Sequence, residues 1–320
     1  MKYLWKKSAF YRLGLICFIL TSQIGCKSGK AKNQQSVSFP AKKVGVLLVN
    51  HGSRSETWRK ALMDLEKNVR SKLLSENGVQ GIKTAHMEYS EPSMATRLKE
   101  FDQEGYSDII IVPVFLTVSP HTFDDIPTII GQKDDAHSRE LLSIENIERY
   151  TPKARVQITP NLDFSNILKH NVSRRVKALS KNPEEEGVVL IGYGDETYEN
   201  EWIRLFEEVG SFIQHENGMG HYTYGWCGHI AHYDPRQTTL AVEKVLKLEK
   251  KAIVIPVLVA HDEMFQVKII GEGIQKVKDA AKKVSYKPDA ILPDEGIETW
   301  VINIVKQYAD KIPAKALSEK

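Results

Sequence analysis

Cysteine is scarce: the chain has three in 320 residues, at positions 17, 26 and 227. Two of these fall in the first 26 residues, so Cys227 has no intramolecular partner in the rest of the chain and no disulfide framework is expected. An excess of one charge is also lacking. Lys and Arg number 44 against 41 Asp and Glu, a formal net charge of +3. The lysines are scattered rather than gathered into a stripe with interleaved aromatics, which argues against nucleic acid as a partner. No Walker loop, no Cys-x-x-Cys pair and no Gly-x-Ser-x-Gly elbow occurs, which excludes the chemistries those motifs serve. Gly192-Tyr193-Gly194-Asp195 begins like a dinucleotide fingerprint but has no third glycine at the right spacing. The apolar run Leu13 to Leu20 is too short to span a bilayer comfortably.

With 42% hydrophobic and 27% charged residues, the chain can bury a full core as one large or two modest domains. At its start, Lys2, Lys6, Lys7 and Arg12 precede the short apolar run, the pattern of a secretory signal over residues 1–26. That run ends in Gln23-Ile24-Gly25-Cys26, which resembles the lipobox of bacterial lipoproteins with Gln23 in place of the usual leucine. The expectation is export, lipidation at Cys26 and a membrane-anchored protein facing the periplasm or cell exterior; an uncleaved anchor or an ordinary signal is the alternative. Lys27 to Lys43 is polar, without a periodic apolar face, and reads as a solvated tether.

Val44 to Val49 is a continuous apolar, β-branched run that enters Asn50-His51-Gly52-Ser53, the pattern of a buried parallel strand leading into a functional loop. Trp58, Leu62, Leu65 and Val69 then mark one helical face within Glu56 to Leu74. Strands are expected near Ile82 to Tyr89, Ile109 to Leu116 and Arg155 to Ile158, with helices over Ser93 to Glu104 and Phe164 to Leu179. Such alternation predicts an α/β fold with a parallel sheet. Lys181 to Gly187 reads as a charged linker, after which the pattern restarts. Val188 to Ile191 runs into Gly192-Tyr193-Gly194, a helix is expected over Asp195 to Gln214, and Ile253 to Val259 runs into Ala260-His261. Tyr193 lies 142 residues beyond His51, and His261 lies 140 beyond His121. The near-equal offsets predict two similar lobes, 44–180 and 187–312, each a parallel sheet flanked by helices, with a tail at 313–320.

Ligands of open parallel sheets sit outside the carboxyl ends of the strands, and His51 and His121 both fall in loops at such ends. Neutral imidazoles brought together there would suit a divalent transition metal and leave coordination positions open. A lone histidine would more often cap a helix or fill a polar niche; two at matching strand ends favour a metal site.

Three motifs in order carry a family resemblance: Val46-Leu47-Leu48-Val49-Asn50-His51-Gly52-Ser53-Arg54, then Met87-Glu88-Tyr89-Ser90-Glu91-Pro92-Ser93, then Val112-Pro113-Val114-Phe115-Leu116 with His121 and Asp124-Asp125-Ile126-Pro127. Together they resemble the CbiX/SirB sirohydrochlorin chelatases, clearly over residues 44–180 and faintly over 187–312. The resemblance implies a class II chelatase fold of two pseudo-symmetric α/β lobes. It also implies insertion of a metal, Co2+ first and Fe2+ or Ni2+ next, into a reduced tetrapyrrole without nucleotide hydrolysis. On the matching positions His51 and His121 would be the metal ligands, and histidines near neutral pKa would also accept pyrrole protons.

Glu88 would lie toward the same face, to complete the metal shell or relay protons, unless it is merely exposed or caps a helix; Glu91, before Pro92, more naturally belongs to a turn. Ser53 and Arg54 are placed to contact substrate carboxylates, though Ser53 also fits a helix cap. In the second lobe Tyr193 replaces the first histidine and His261 keeps the second, so both are candidates for the cleft wall and substrate contact. Trp226-Cys227-Gly228-His229-Ile230-Ala231-His232-Tyr233 clusters a thiol and two imidazoles as a possible second metal or haem contact, against the blander reading of a buried strand end and a loop. The leading function is a chelatase. The alternatives are an envelope lipoprotein that binds haem, a tetrapyrrole or free metal without turnover, and a degenerate scaffold that binds another protein.

Overall fold

The computed structural model describes residues 42–313 except 77, 117–118 and 162–163. The expected leader, Cys26, most of the tether and the residues from 314 onward lie outside the described residues. Lys42 and Lys43, at the end of the expected tether, are bound to the fold: Lys42 Nζ donates to the carbonyl of Ile312 at 2.9 Å, and the Lys43 amide donates to Ser107 Oγ at 3.0 Å.

Strand β1 (Val44–Asn50) is buried at all seven positions, as a central parallel strand covered on both faces must be. Helix α1 (Glu56–Glu76) follows, then β2 (Gly81–His86), α2 (Met94–Gln103) and β3 (Asp108–Pro113). Ser93 caps α2, its Oγ accepting the Thr96 amide at 3.2 Å. After β3 comes a π-helical turn over His121–Asp125 that continues into α3 (Ile126–Ile129). Helix α4 (Ala136–Ile144), β4 (Arg155–Ile158) and α5 (Phe164–Leu179) complete the half. The second half repeats the plan with β5 (Glu186–Gly192), α6 (Glu199–Asn217), β6 (Tyr222–Trp226), α7 (Arg236–Leu246) and β7 (Lys251–Val257). A second π-helical turn over Met264–Gly271 leads into α8 (Glu272–Gln275), and α9 (Ala280–Lys283), β8 (Val284–Tyr286) and α10 (Glu295–Lys311) follow.

Both sheets are wholly parallel and share one strand order, β2-β1-β3-β4 and β6-β5-β7-β8. Alternate residues of each central strand serve different layers. Val46 and Leu48 face the core shared with Val188, Leu190 and α1, whereas Leu47 and Val49 face an outer core with Leu98 and Phe101 of α2. Val189 and Ile191 likewise face an outer core with Val242 and Val245 of α7. The lobes also trade helices: α5 packs on α6 and β7, and α10 packs on α1 and β3. Asp294, buried at the start of α10, caps that helix through the Gly296 amide at 2.8 Å and accepts from Asn171 of α5, also at 2.8 Å.

Three local expectations change. The helix expected from Asp195 starts at Glu199, because Asp195 Oδ1 accepts the amides of Thr197 and Tyr198 at 2.9 and 3.0 Å and holds those residues in a turn. The linker ends earlier than Gly187: Glu186 is buried and opens β5, its carboxylate satisfied by Ser180 Oγ at 2.5 Å and the Lys181 amide at 3.1 Å. His121 sits at the head of a π-helical turn rather than in a loop, a distortion often found at functional sites. Among the described residues, no helix is long and apolar enough to cross a membrane.

Candidate metal centre

The loop after β1 is held against the segment after β2. The Met87 amide donates to the Asn50 carbonyl at 2.9 Å and the Glu88 amide to the His51 carbonyl at 2.8 Å, extending the pairing past the strands. Gly52 makes this approach possible: its φ is +93°, and a Cβ there would lie 2.1 Å from the Glu88 carbonyl oxygen. Behind the loop, Asn50 Oδ1 accepts the Gly52 amide at 3.1 Å, so His86 Nδ1, 2.8 Å from the same oxygen, is the donor. Burial, followed by the nearby Arg59 and Arg97, pushes the His86 pKa down to about 4 and keeps this ring neutral.

Three side chains converge in front of this support. One ligand atom each from His51, Glu88 and His121 lies within 4.8 Å of the others. His51 Nε2 is 3.8 Å from Glu88 Oε2, and the two imidazole rings stand edge to face with centroids 4.9 Å apart. Donors around one ion at roughly 2.1 Å are separated by about 3 to 3.5 Å, so modest side-chain rotation closes the set on a metal. Each histidine is oriented through its other nitrogen. His51 Nδ1 lies 3.1 Å from the Gly52 carbonyl and His121 Nδ1 lies 2.8 Å from Asp125 Oδ2, so both Nδ1 atoms donate and both Nε2 lone pairs are free for the ion. Burial would raise the Asp125 pKa, yet hydrogen bonds from His121 and Ser138 hold it below the ordinary aspartate value. Burial and the neighbouring His121 push the His51 pKa down, with Glu88 opposing. A neutral imidazole with an available lone pair is what metal binding requires. Tyr89 adopts a positive φ of 64°, a rare backbone for this residue type; half of the residue is exposed, and the partial shielding of its hydroxyl, followed by the Glu88 carboxylate, raises the phenol to about 12.

The other candidates are distributed around this point. Arg54 is exposed, with its guanidinium carbon 5.4 Å from the Tyr89 ring centre. Ser53 is committed elsewhere: its Oγ donates to Asp262 Oδ2 of the second lobe at 2.7 Å and accepts the Ser55 amide at 3.0 Å. Glu91 accepts the Ser93 amide at 2.6 Å in the turn before α2. Sequence reasoning missed Asp125 as the group that orients His121, although a carboxylate four residues on was a usable signal. It also missed the Asn50–His86 support and Asp262.

The second lobe repeats the backbone but not the ligands. The Cys227 amide donates to the Gly192 carbonyl and the Gly228 amide to the Tyr193 carbonyl, both at 2.9 Å. Tyr193 therefore stands where His51 stands, and Gly228 where Glu88 stands. His261 is not the counterpart of His121. Pro113 and Pro256 hold the same register in their sheets, and both π-helical turns begin eight residues beyond them, at His121 and Met264. The aligned triplet is thus Tyr193, Gly228 and Met264, which cannot hold a hard or borderline ion as the first lobe can. Cys227 is fully buried and its thiol is pushed up by that burial, so it offers no thiolate beside His229 and His232.

The CbiX family model matches residues 45–179, which contain all three converging side chains. The sirohydrochlorin cobaltochelatase of Methanopyrus kandleri is 32% identical over 112 residues, covering 34% of this chain and 76% of that relative. The chain belongs to the CbiX family. A second member, the sirohydrochlorin cobaltochelatase of Methanocaldococcus jannaschii, is 35% identical over 92 residues, 29% of this chain and 62% of the relative. The chain therefore spans about three fifths of the length of that curated relative. Among solved structures, the sirohydrochlorin chelatase SirB from Bacillus subtilis subspecies spizizenii, in complex with cobalt, is similar with a TM-score of 0.60 at 17% identity, covering 84% of this chain and 96% of SirB. That likeness shows the fold, two α/β lobes, and extends beyond the segment matched by the CbiX family model.

Proposed function

We propose that the protein is a chelatase that inserts a divalent metal ion, Co2+ first and Fe2+ or Ni2+ next, into sirohydrochlorin or a related tetrapyrrole. The observation that carries this reading is the convergence of His51, Glu88 and His121 from the segments that follow three strands of one lobe in a CbiX-family chain. The metal is a substrate, so the site must hold it with few donors and then release it. Two neutral imidazoles and one carboxylate leave part of the ion's coordination shell to pyrrole nitrogens.

Insertion breaks two pyrrole N–H bonds, and the electron pair of each nitrogen passes to the metal as its proton leaves. Glu88 is the first acceptor, a carboxylate 3.8 Å from His51 Nε2. As the ion moves to the macrocycle, the imidazoles regain their lone pairs, and His121 takes the second proton with Asp125 stabilising the resulting charge at 2.8 Å.

The test is to mix purified protein with sirohydrochlorin and Co2+, Fe2+ or Ni2+ in turn and follow the absorbance change. Acceleration over the protein-free rate is expected, falling on the order of a hundredfold in His51→Ala and His121→Ala with the unfolding midpoint little changed. If no metal is inserted faster than without protein, catalysis is rejected.

The leader-like residues 1–26 favour a second reading: an envelope lipoprotein, lipidated at Cys26, that binds haem, a tetrapyrrole or free metal without turnover. Tight binding without acceleration in the same screen is its signature. Cys26→Ala should shift the protein from the membrane to the soluble extracytoplasmic fraction, and unchanged membrane retention would refute lipid anchoring at this residue.

A further inference from the structure

The carbonyl that orients His51 belongs to the peptide between Gly52 and Ser53. On its near side, the Gly52 amide rests on Asn50 Oδ1 at 3.1 Å and the Gly52 Cα faces the Glu88 carbonyl. The glycine alone leaves the far side loose, because without a Cβ its ψ is free to turn. Ser53 supplies the restraint. Its carbonyl accepts from Arg59 Nη1 at 2.7 Å and its Oγ accepts the Ser55 amide at 3.0 Å, which hold it to the start of α1. Its hydroxyl proton goes to the other lobe, to Asp262 Oδ2 at 2.7 Å.

Asp262 is a firm anchor. Its Oδ1 accepts the Met264 amide at 3.0 Å, and its carbonyl accepts the amides of Phe265 and Gln266, both at 3.0 Å, at the opening of the second π-helical turn. Its own amide donates to Gln266 Oε1 at 3.0 Å. Gln266 is fully buried, and its Nε2 donates to the carbonyls of Ala260 and Asp289, both at 3.3 Å. Asp289 in turn accepts from Arg175 Nε of α5 at 3.0 Å, while Arg175 Nη1 donates to the Pro256 carbonyl of β7 at 2.9 Å. The side chain and the backbone of Asp262 are thus both tied into the frame of the second lobe, and a hydroxyl donating to a carboxylate is among the stronger hydrogen bonds.

The duplicated fold makes this link on one side. With Tyr193 in the place of His51, Asp195 stands where Ser53 stands, and Ser119, two residues before His121, stands where Asp262 stands before Met264. Serine and aspartate are exchanged, yet that pair is not joined. Asp195 Oδ1 accepts the Thr197 and Tyr198 amides, and the buried Ser119 Oγ has no partner among the described residues. The bond between lobes is present where the adjoining ring is the imidazole of His51 and missing where it is Tyr193.

We propose that Asp262 is a positioning residue for the metal centre, reaching across from the second lobe to hold Ser53 and thereby the Gly52 carbonyl that orients His51. Resting on the reading of His51, Glu88 and His121 as the metal site, it makes that site depend on both lobes although all three side chains come from one. With the link cut, the Gly52–Ser53 peptide turns and His51 Nδ1 loses its acceptor for part of the time. The ring then samples the tautomer whose Nε2 carries the proton and binds no metal.

Co2+ titrated calorimetrically into metal-free wild-type protein, Asp262→Ala, Asp262→Asn and Ser53→Ala tests this. Loss of a group that orients a metal-binding histidine weakens affinity about 10- to 100-fold, and Asp262 acts from one residue further back, so Kd in Asp262→Ala should rise about tenfold. Ser53→Ala should match it, and it cuts the link from the other lobe should one variant fail to fold. Asp262→Asn should stay within about threefold of wild type, because its carbonyl oxygen still accepts the Met264 amide and its NH2 donates to Ser53 Oγ. In 15N spectra of the metal-free proteins, the His51 ring should leave the Nδ1–H tautomer in Asp262→Ala while His121 keeps it, a change that a general loss of structure would not confine to one ring. A Kd within twofold of wild type and an unchanged His51 tautomer in Asp262→Ala overturn the positioning role and leave the chelatase reading standing. An equal loss in Asp262→Asn also overturns it, since charge rather than the link would then set the affinity. Failure of the wild-type protein to bind Co2+, Fe2+ or Ni2+ overturns both readings.

Discussion

Replacing Asp125 with Asn isolates what orients the metal centre. Asp125 touches no ion; it accepts the His121 Nδ1 proton at 2.8 Å, and its side chain is only 8% exposed, so solvent screens the bond little. A hydrogen bond to a charged acceptor contributes about 1.5 to 3 kcal/mol. In the variant, an amide that presents its NH2 to Nδ1 would favour the tautomer with the proton on Nε2, which removes the lone pair the metal needs. Loss of a partner that orients a metal-binding histidine typically weakens metal affinity 10- to 100-fold, or about 1.4 to 2.7 kcal/mol, the same range reached from the hydrogen bond alone. Calorimetric titration with Co2+ at pH 7.5 should therefore show a Kd raised 10- to 100-fold in Asp125→Asn, while the unfolding midpoint in metal-free buffer moves little because a buried charge is removed together with its bond. A Kd within twofold of wild type would refute the claim that this carboxylate sets the His121 tautomer.

Two further outcomes follow from the support behind the site. Gly52→Ala should destabilise the protein by at least about 2 kcal/mol in urea unfolding, since it combines a positive φ with a Cβ 2.1 Å from a backbone oxygen; a loss below about 0.5 kcal/mol would show that the His51–Glu88 pairing yields easily. His86 titrates near pH 4 when folded and near 6.5 when unfolded, so the unfolded state binds more protons between these values and stability falls as pH drops through that window. For metal-free protein taken from pH 7 to 4.5, His86 accounts for about 2.5 kcal/mol of loss. His86→Gln should lessen the decline by that order, and equal pH dependence in both proteins would contradict the assignment.

Much of the architecture was legible because burial on both faces leaves a strong mark. Val44 to Val49 and Val188 to Ile191 contain no polar side chain, and α5 was found to the residue at both ends. His51, Glu88 and His121 were legible as candidates in three ordered motifs, and the structure brings a ligand atom of each within 4.8 Å of the others. Other features left weaker marks. The π-helical turns do not follow the 3.6-residue repeat that apolar spacing reports, so His121 read as a loop residue and Met264 was passed over for the nearby His261. Counting from the shared proline would have found the match, since both turns start at the same distance from it. The charged run at 181–187 concealed Glu186, whose burial depends on Ser180 and the Lys181 amide folding back onto it. The helix exchange, α5 onto the second lobe and α10 onto the first, depends on long-range packing that no local pattern encodes.

The duplication separates what the fold needs from what the chemistry needs. Both lobes keep a positive-φ glycine after the first strand, Gly52 and Gly194, and both keep the backbone pairing that ties that loop to the next strand end. Both also keep the π-helical turn beyond the third strand. These devices shape the cleft whichever side chains they present, and losing one would disturb a core that the lobes share. The ligands are under no such constraint: Tyr193, Gly228 and Met264 occupy the same frame without a metal-binding set. The symmetric backbone supplies two equivalent loop frames, and among the described residues the asymmetric side chains put a candidate metal-binding set on the first of them.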